Sequence, residues 1–317
     1  MLTEVRHQDE GVRFLRRFVE GRLVSPVLLI GDEGVGRRFS VMKAIQEAFC
    51  LADRQPGCQC YSCLVLPQGL HPDVTLLYPE GESSIGVDEV RDVVAQAKDY
   101  PTVGAYRCFV IDGADRFTPP AANAFLKTLE EPPARSRFFL LSEFSDQVLP
   151  TIRSRCGRIQ YGQLPEEFVL SVLHQYETDD AKALVYTRMG EGSIGRAIRY
   201  WGSGRLGLRD LVVKVLQLAL DRDLPSLFAS VDKMEQDLVQ ALKFLEQLLH
   251  DVLIARVDPM RVIHADKTDE ILDMAKRAGL PAWVKLSGKV RALQSQYRST
   301  KLNLSFHVKT ILVESFI

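Results

Sequence analysis

An α/β domain with a mostly parallel sheet, followed by helices to the end of the chain, is the fold class the sequence predicts. Three observations predict it. Short β-prone apolar runs at 27–30, 74–78, 108–111 and 138–142 are bounded by Gly, Asp and Pro, as buried strands are. Segments of helical periodicity separate them, and strand, helix, strand is the right-handed crossover unit of such a sheet. From Glu166 onward the strand pattern vanishes and apolar residues recur only at helical spacing.

Composition sets the bounds. A chain of 317 residues with 46% hydrophobic content can bury a sizeable core in two or three domains. Its 40 Lys and Arg against 41 Asp and Glu argue against gripping nucleic acid along the whole length, though a local basic patch fits. The first residues lack the apolar core of a signal peptide, and no run approaches a membrane span. Six cysteines with no leader suggest metal binding or packing more than disulfides.

In chain order, residues 1–25 predict an amphipathic helix with Val12, Leu15, Phe18 and Val19 on one face. The run 27–30 then leads into Gly31, Gly34 and Gly36, and a helix carries Val41, Ile45, Ala48 and Phe49. Strand, glycine loop, helix is the context of a phosphate-binding loop, whose backbone N–H groups form an anion nest. Arg37 stands where the loop lysine belongs and Arg38 where the magnesium-binding Ser or Thr belongs. Arg37 keeps a charge, but Arg38 cannot ligate the metal, so a loop that merely joins strand to helix is the expectation.

Cys50, Cys58, Cys60 and Cys63 fall within fourteen residues of a polar segment, the pattern of a Cys₄ zinc site with no open coordination position; free surface thiols are the alternative. His71 and Asp73 read as a turn pair entering the next strand. A helix follows with Val87, Val90, Val94 and Ala97 on one face.

The stretch 108–156 organises the rest. Thr118 is placed to cap a helix, Pro119 and Pro120 fit its first turn, Ala122, Phe125, Leu126 and Leu129 make its apolar face, and Pro132 stops it. Ile111-Asp-Gly-Ala-Asp115, Asn123-Ala-Phe-Leu-Lys-Thr-Leu-Glu-Glu-Pro-Pro133 and Ser154-Arg-Cys156 resemble the AAA+ clamp-loader family.

The resemblance implies an AAA+ (RecA-like) α/β domain at 1–164 with a Cys₄ zinc loop, a small helical lid at 165–204 and an all-α collar, an oligomerisation domain, at 205–317. The family usually keeps two residues between the second and third cysteines, whereas Cys58 and Cys60 are separated by one. Asp112 matches the metal-associated acid, but Gly113 fills the place of the water-activating Glu. Ser142 matches a polar sensor, and Arg196 inherits a lid sensor role beside its plainer part as a helix-start residue. Arg155 matches an arginine finger that acts in trans on a neighbour's nucleotide, which Arg153 and Arg158 match less well. The implied role is a non-catalytic stator of the replicative clamp loader, an accessory subunit of the DNA polymerase III holoenzyme that hydrolyses no ATP itself; a self-sufficient gamma/tau-like ATPase is the alternative. Partners would be the motor subunits (gamma/tau), the delta subunit, the sliding clamp and, through the complex, primer–template DNA, in the cytoplasm, with ATP and Mg²⁺ on a neighbouring subunit.

In the helical part, Val169, Val172 and Leu173 open one helix and Ala181, Leu184, Val185 and Met189 the next; Gly202 and Gly204 read as a linker. Three later stripes follow: Leu211, Val215, Leu218 and Leu220; Leu238, Leu242, Leu245 and Leu249; Leu304, Val308, Ile311 and Leu312. His250, His264 and His307 stand alone and read as satisfied surface or core residues.

Overall fold

A computed structural model describes residues 1–79, 81, 83–299 and 303–316. They form two compact units, 1–165 with 192–195, and 166–191 with 196–317.

The first unit is built on a five-stranded parallel sheet: β1 (Val27–Ile30), β2 (Val74–Leu77), β3 (Arg107–Asp112), β4 (Ser136–Ser142) and β5 (Gly157–Gln160), in the order β2-β3-β4-β1-β5. Alternate residues of the central strands enter opposite cores. Val27, Leu29, Phe139 and Leu141 meet Leu15 and Phe18 of helix α1 (Asp9–Val19) and Val41, Ile45 and Phe49 of α2 (Arg37–Phe49). Leu28, Ile30, Phe138 and Leu140 meet Phe125 and Leu129 of α5 (Pro119–Glu130) and Val90 and Val93 of α4 (Val87–Gln96); a short α3 (Tyr61–Val65) lies between α2 and α4 in the chain. Burial on both faces is why these strands read as unbroken apolar runs. Thr118 caps α5 as its sequence predicts, its hydroxyl accepting from the N–H of Ala121 at 3.3 Å.

Two expectations change. Residues 1–25 are not one helix: a single 3₁₀ turn, Leu2–Glu4, precedes α1, with His7 at φ 59° between them. The break lets the buried Leu2 N–H donate to Glu47 at 2.8 Å. The strand β5, which the apolar runs do not predict, is an edge strand in which only Ile159 is buried while Arg158 and Gln160 face solvent, so its signal is a three-residue alternation rather than a run.

The second unit is helical: α7 (Glu166–Leu173), α8 (Asp180–Met189), α9 (Ile194–Ser203), α10 (Leu206–Asp221), α11 (Leu224–Asp232), α12 (Leu238–Ile254), α13 (Thr268–Arg277), α14 (Leu280–Ser299) and α15 (Leu304–Phe316), with α6 (Pro150–Arg153) the last helix of the sheet unit. Within α12, Leu238, Leu242, Leu245 and Leu249 are all buried, as their spacing predicts. Of the stripe expected on α10, Val215 is buried while Leu211, Leu218 and Leu220 are only half-buried; the inward face is Arg209, Val212, Val213, Val215, Leu216 and Ala219. Arg209 is only 2% exposed and forks onto both oxygens of Asp266 at 2.6 and 2.8 Å, so a charged residue completes the stripe and turns it away from Leu211 and Leu218. His264 is a fully buried core residue, its Nδ1 2.8 Å from Asp251 Oδ2. Among the described residues, no helix is long and apolar enough to cross a membrane.

Candidate functional site

In an open parallel sheet, ligands bind beyond the carboxyl ends of the strands, at the point where strand order reverses. Here that point lies beside β1, and the predicted loop residues gather there. The strand β1 runs into Gly31, Gly34 and Gly36, and Gly36, at φ 102°, starts α2. Gly34 has φ 76°, and a Cβ there would sit 2.4 Å from Ser193 Oγ and 2.7 Å from Gly195 Cα. No other residue fits that position.

The same crowding shows what covers the loop. Ser193 Oγ donates to the Glu33 carbonyl at 2.6 Å, and the Gly195 N–H donates to the Gly34 carbonyl at 3.2 Å. Residues 192–195, within a stretch (190–198) that reads in the sequence as a loop and helix start, are therefore packed against the glycine loop. A side chain at 195 would strike Gly34 Cα at 2.8 Å.

The charged residues form a loose cluster. Arg37 is buried, its Nη2 3.9 Å from Glu143, and its Nη1 has no hydrogen-bond partner among the described residues. Arg38 is exposed, with Nη1 3.8 Å from Asp112 Oδ2. Burial pushes the Asp112 carboxyl up, against the pull of the Arg37 and Arg38 guanidiniums. Glu143 is likewise raised by burial, opposed by Arg37. Gly113 follows at φ 106°, where an added Cβ would come 3.1 Å from Pro79. Any residue with a side chain could enter that position only in a strained left-handed conformation. The Ser142 hydroxyl is buried and donates to the Phe144 carbonyl at 3.1 Å. Arg196, in the helical unit, donates from Nε to the Gly190 carbonyl at 3.1 Å and lies 3.9 Å from Glu191.

Arg155 lies elsewhere in the sheet unit, just past α6 and 30% exposed, with its guanidinium against Glu130. Of its rivals, Arg153 donates to the Ser145 carbonyl at 2.9 Å and Arg158 is exposed on the edge strand.

The four cysteines of the loop come together. The Sγ atoms of Cys50, Cys58, Cys60 and Cys63 all lie within 4.8 Å of one another, with Cys50 and Cys58 3.6 Å apart. Tetrahedral thiolate ligands at about 2.3 Å from a metal stand roughly 3.8 Å apart, so the single residue between Cys58 and Cys60 does not spoil the set. Burial alone would raise the Cys60 thiol, yet N–H groups of Leu51 and Cys63 and the neighbouring thiols bring it down to about 6. Cys63 is pushed up, chiefly by burial. The set thus holds thiols of unlike acidity, and a metal ion bound there would supply the charge that deprotonates them.

Beside this lobe the structure reveals a joint that the turn reading of His71 and Asp73 does not anticipate. Both are buried. Asp73 accepts the backbone N–H groups of Thr102, Val103 and Gly104 at 2.5, 2.7 and 2.7 Å, while His71 accepts the Asp73 N–H at 3.2 Å and sits 3.3 Å from Ser62 Oγ. An aspartate thirty residues from its partners leaves no local signature.

With this geometry in hand, likeness to known proteins is specific. The family model described as DNA polymerase III, delta subunit matches residues 7–165. The chain is 29% identical over 258 residues to DNA polymerase III subunit delta' of Escherichia coli (strain K12), spanning 80% of this chain and 77% of that one. It is 37% identical over 140 residues to the subunit of the same name from Haemophilus influenzae, a match spanning 44% of this chain and 43% of the relative. A crystal structure of a DNA polymerase III gamma subunit-related protein from Thermotoga maritima shares the fold at a TM-score of 0.52 and 20% identity, over 97% of this chain and 99% of that one.

Proposed function

The chain belongs to the DNA polymerase III delta-subunit family of clamp-loader subunits, and on that premise we propose that it is a stator: it hydrolyses no ATP itself and supplies Arg155 in trans to ATP held by a neighbouring motor subunit. The observation that carries the reading is Arg38 beside Asp112, 3.8 Å away. A guanidinium occupies the ground where Mg²⁺ and its hydroxyl ligand would work, so the centre can neither bridge phosphate oxygens with metal nor position a water. Gly31, Gly34, Gly36, Arg37 and Ser142 are in this reading the remains of a nucleotide pocket, and Arg196 a lid residue that has lost its nucleotide. A finger in trans needs no working loop in its own chain, and the planar fork of arginine suits phosphate better than a lysine does.

Residues 165–204 act as the lid and 205–317 as the collar, with Gly204 at φ 62° breaking the chain between α9 and α10. Leu280 and Val284, one turn apart on α14, are exposed and apolar, as a surface that packs on other subunits would be. The partners in this reading are the gamma/tau motor subunits and the delta subunit, and through the assembled complex the sliding clamp and primed DNA.

The purified chain tests the reading. Incubated with Mg²⁺ and ATP, it is expected to release phosphate no faster than a protein-free control; brisk hydrolysis that disappears in Arg37→Ala would overturn it.

Cys50, Cys58, Cys60 and Cys63 hold a structural zinc ion in the same reading. The purified chain is expected to carry one equivalent of zinc by elemental analysis. Chelation should lower its stability by about 2.7 kcal/mol relative to protein at free zinc a hundredfold above Kd. Full stability without zinc would discard the site.

A further inference from the structure

The guanidinium of Arg155 is held from two sides. Its Nε donates to Glu130 Oε1 at 2.7 Å and Nη2 donates to the same oxygen, while Nη1 donates to the Thr151 carbonyl at 2.8 Å and to Ser154 Oγ at 3.1 Å. An arginine carries five N–H donors. Four are engaged here, and the fifth, on Nη2, lies on the end-on edge facing away from Glu130.

The bases of the two side chains are fixed by one core. Glu130 ends α5 directly after the buried Leu129, and Arg155 follows α6, whose Ile152 is buried in the same apolar cluster. The tips stand at the surface, with the Glu130 side chain 48% exposed and that of Arg155 30%. An ion pair so exposed adds little to stability. Its evident effect is to choose one orientation for a long side chain that would otherwise sample many.

We propose that Glu130 is a positioning residue for Arg155: it grips the Nε side of the guanidinium and thereby aims the end-on Nη edge outward, ready to meet the phosphate of a nucleotide on the adjoining subunit. The proposal rests on the reading of Arg155 as a finger in trans. Thr151 and Ser154 steady the other side, so that a phosphate oxygen can take the remaining Nη2 donor and displace the weaker Ser154 contact while Glu130 keeps its hold. Fixing the group before the phosphate arrives lowers the ordering cost of the transition state.

The test uses the assembled clamp loader with primed DNA, clamp and ATP, comparing wild type, Glu130→Ala, Glu130→Gln, Arg155→Ala and the Glu130→Ala/Arg155→Ala double variant, each checked for a wild-type melting curve. Glu130→Ala is expected to lower kcat at the one site facing this chain, read as that site's share of a single-turnover burst, by about tenfold, below the ~10²-fold that a 1 Å misplacement can cost, with KM for ATP unchanged. Glu130→Gln, whose amide oxygen still accepts from Nε, should recover most of that loss. In the Arg155→Ala background, Glu130→Ala should do nothing further. An unchanged or raised kcat in Glu130→Ala, or a loss that persists without Arg155, would overturn the proposal. If Arg155→Ala alone has no effect, the finger reading falls first and the positioning role with it. If Glu130→Ala fails to fold, the Glu130→Gln and Glu130→Asp pair decides by whether kcat follows the reach of the acceptor.

Discussion

Asp73→Ala is expected to destabilise the sheet unit by about 3–5 kcal/mol, because it removes a buried carboxylate from three partly buried backbone donors at once, each a bond to a charged group worth about 1.5–3 kcal/mol. The carboxylate is buried where residues 102–104 pass the start of β2, and its two oxygens take the N–H groups of Thr102, Val103 and Gly104. Alanine takes that acceptor from all three, and because the donors are only partly buried, water replaces some of the pairing, which keeps the loss below the sum of the three bonds. Asparagine keeps the shape but replaces one acceptor oxygen by an amide donor, so it should recover only part of the loss. The same joint predicts an acid sensitivity. Burial pushes the Asp73 carboxyl up, but the three N–H bonds outweigh it and hold the group below its ordinary 3.8. A carboxyl depressed on folding contributes stability that is full above pH ~4 and is lost as the pH falls through the lowered folded value. Hydrogen exchange at the amides of 102–104 reads the effect directly. Fast exchange in Asp73→Ala at neutral pH is the expected result, and protection equal to wild type would contradict it.

Much of this molecule is legible in its sequence, for reasons that can be named. The central strands announce themselves because a parallel sheet covered on both faces needs apolar residues at every position, as in 27–30 and 138–142. The cysteine set is legible because metal ligands must be close in space and here are also close in the chain. What escapes is charge buried inside a pattern and contact between distant residues. Arg209 completes an apolar face only because Asp266, fifty-seven residues on, receives it. The glycine loop is capped by Ser193 and Gly195, some 160 residues away, and the stretch 190–198 reads from the sequence as a loop and helix start. Arg155 stands out by its Ser-Arg-Cys setting, yet its contact with Glu130 appears only when α5 and α6 are folded onto one core.

Arg155→Ala carries the largest functional effect expected of any single change. Arginine fingers are worth roughly 10³–10⁵ in rate where they act, since they neutralise charge that spreads over the transferring phosphoryl group. Only the site that faces this chain should suffer, so turnover there is expected to fall by at least about 10²-fold while sites between other subunits keep their own rates. Arg155→Lys should be nearly as slow, because an ammonium keeps the charge but not the two-pronged geometry. Assembly should survive both changes, for the pair with Glu130 is surface-exposed and outside the core. The decisive measurement is single-turnover ATP hydrolysis by the complete clamp loader, with primed DNA and clamp, assembled with wild-type or Arg155→Ala chain. One site's share of the burst is expected to become slow in the variant, with subunit composition unchanged. A burst of wild-type rate and amplitude in the fully assembled Arg155→Ala complex would contradict it.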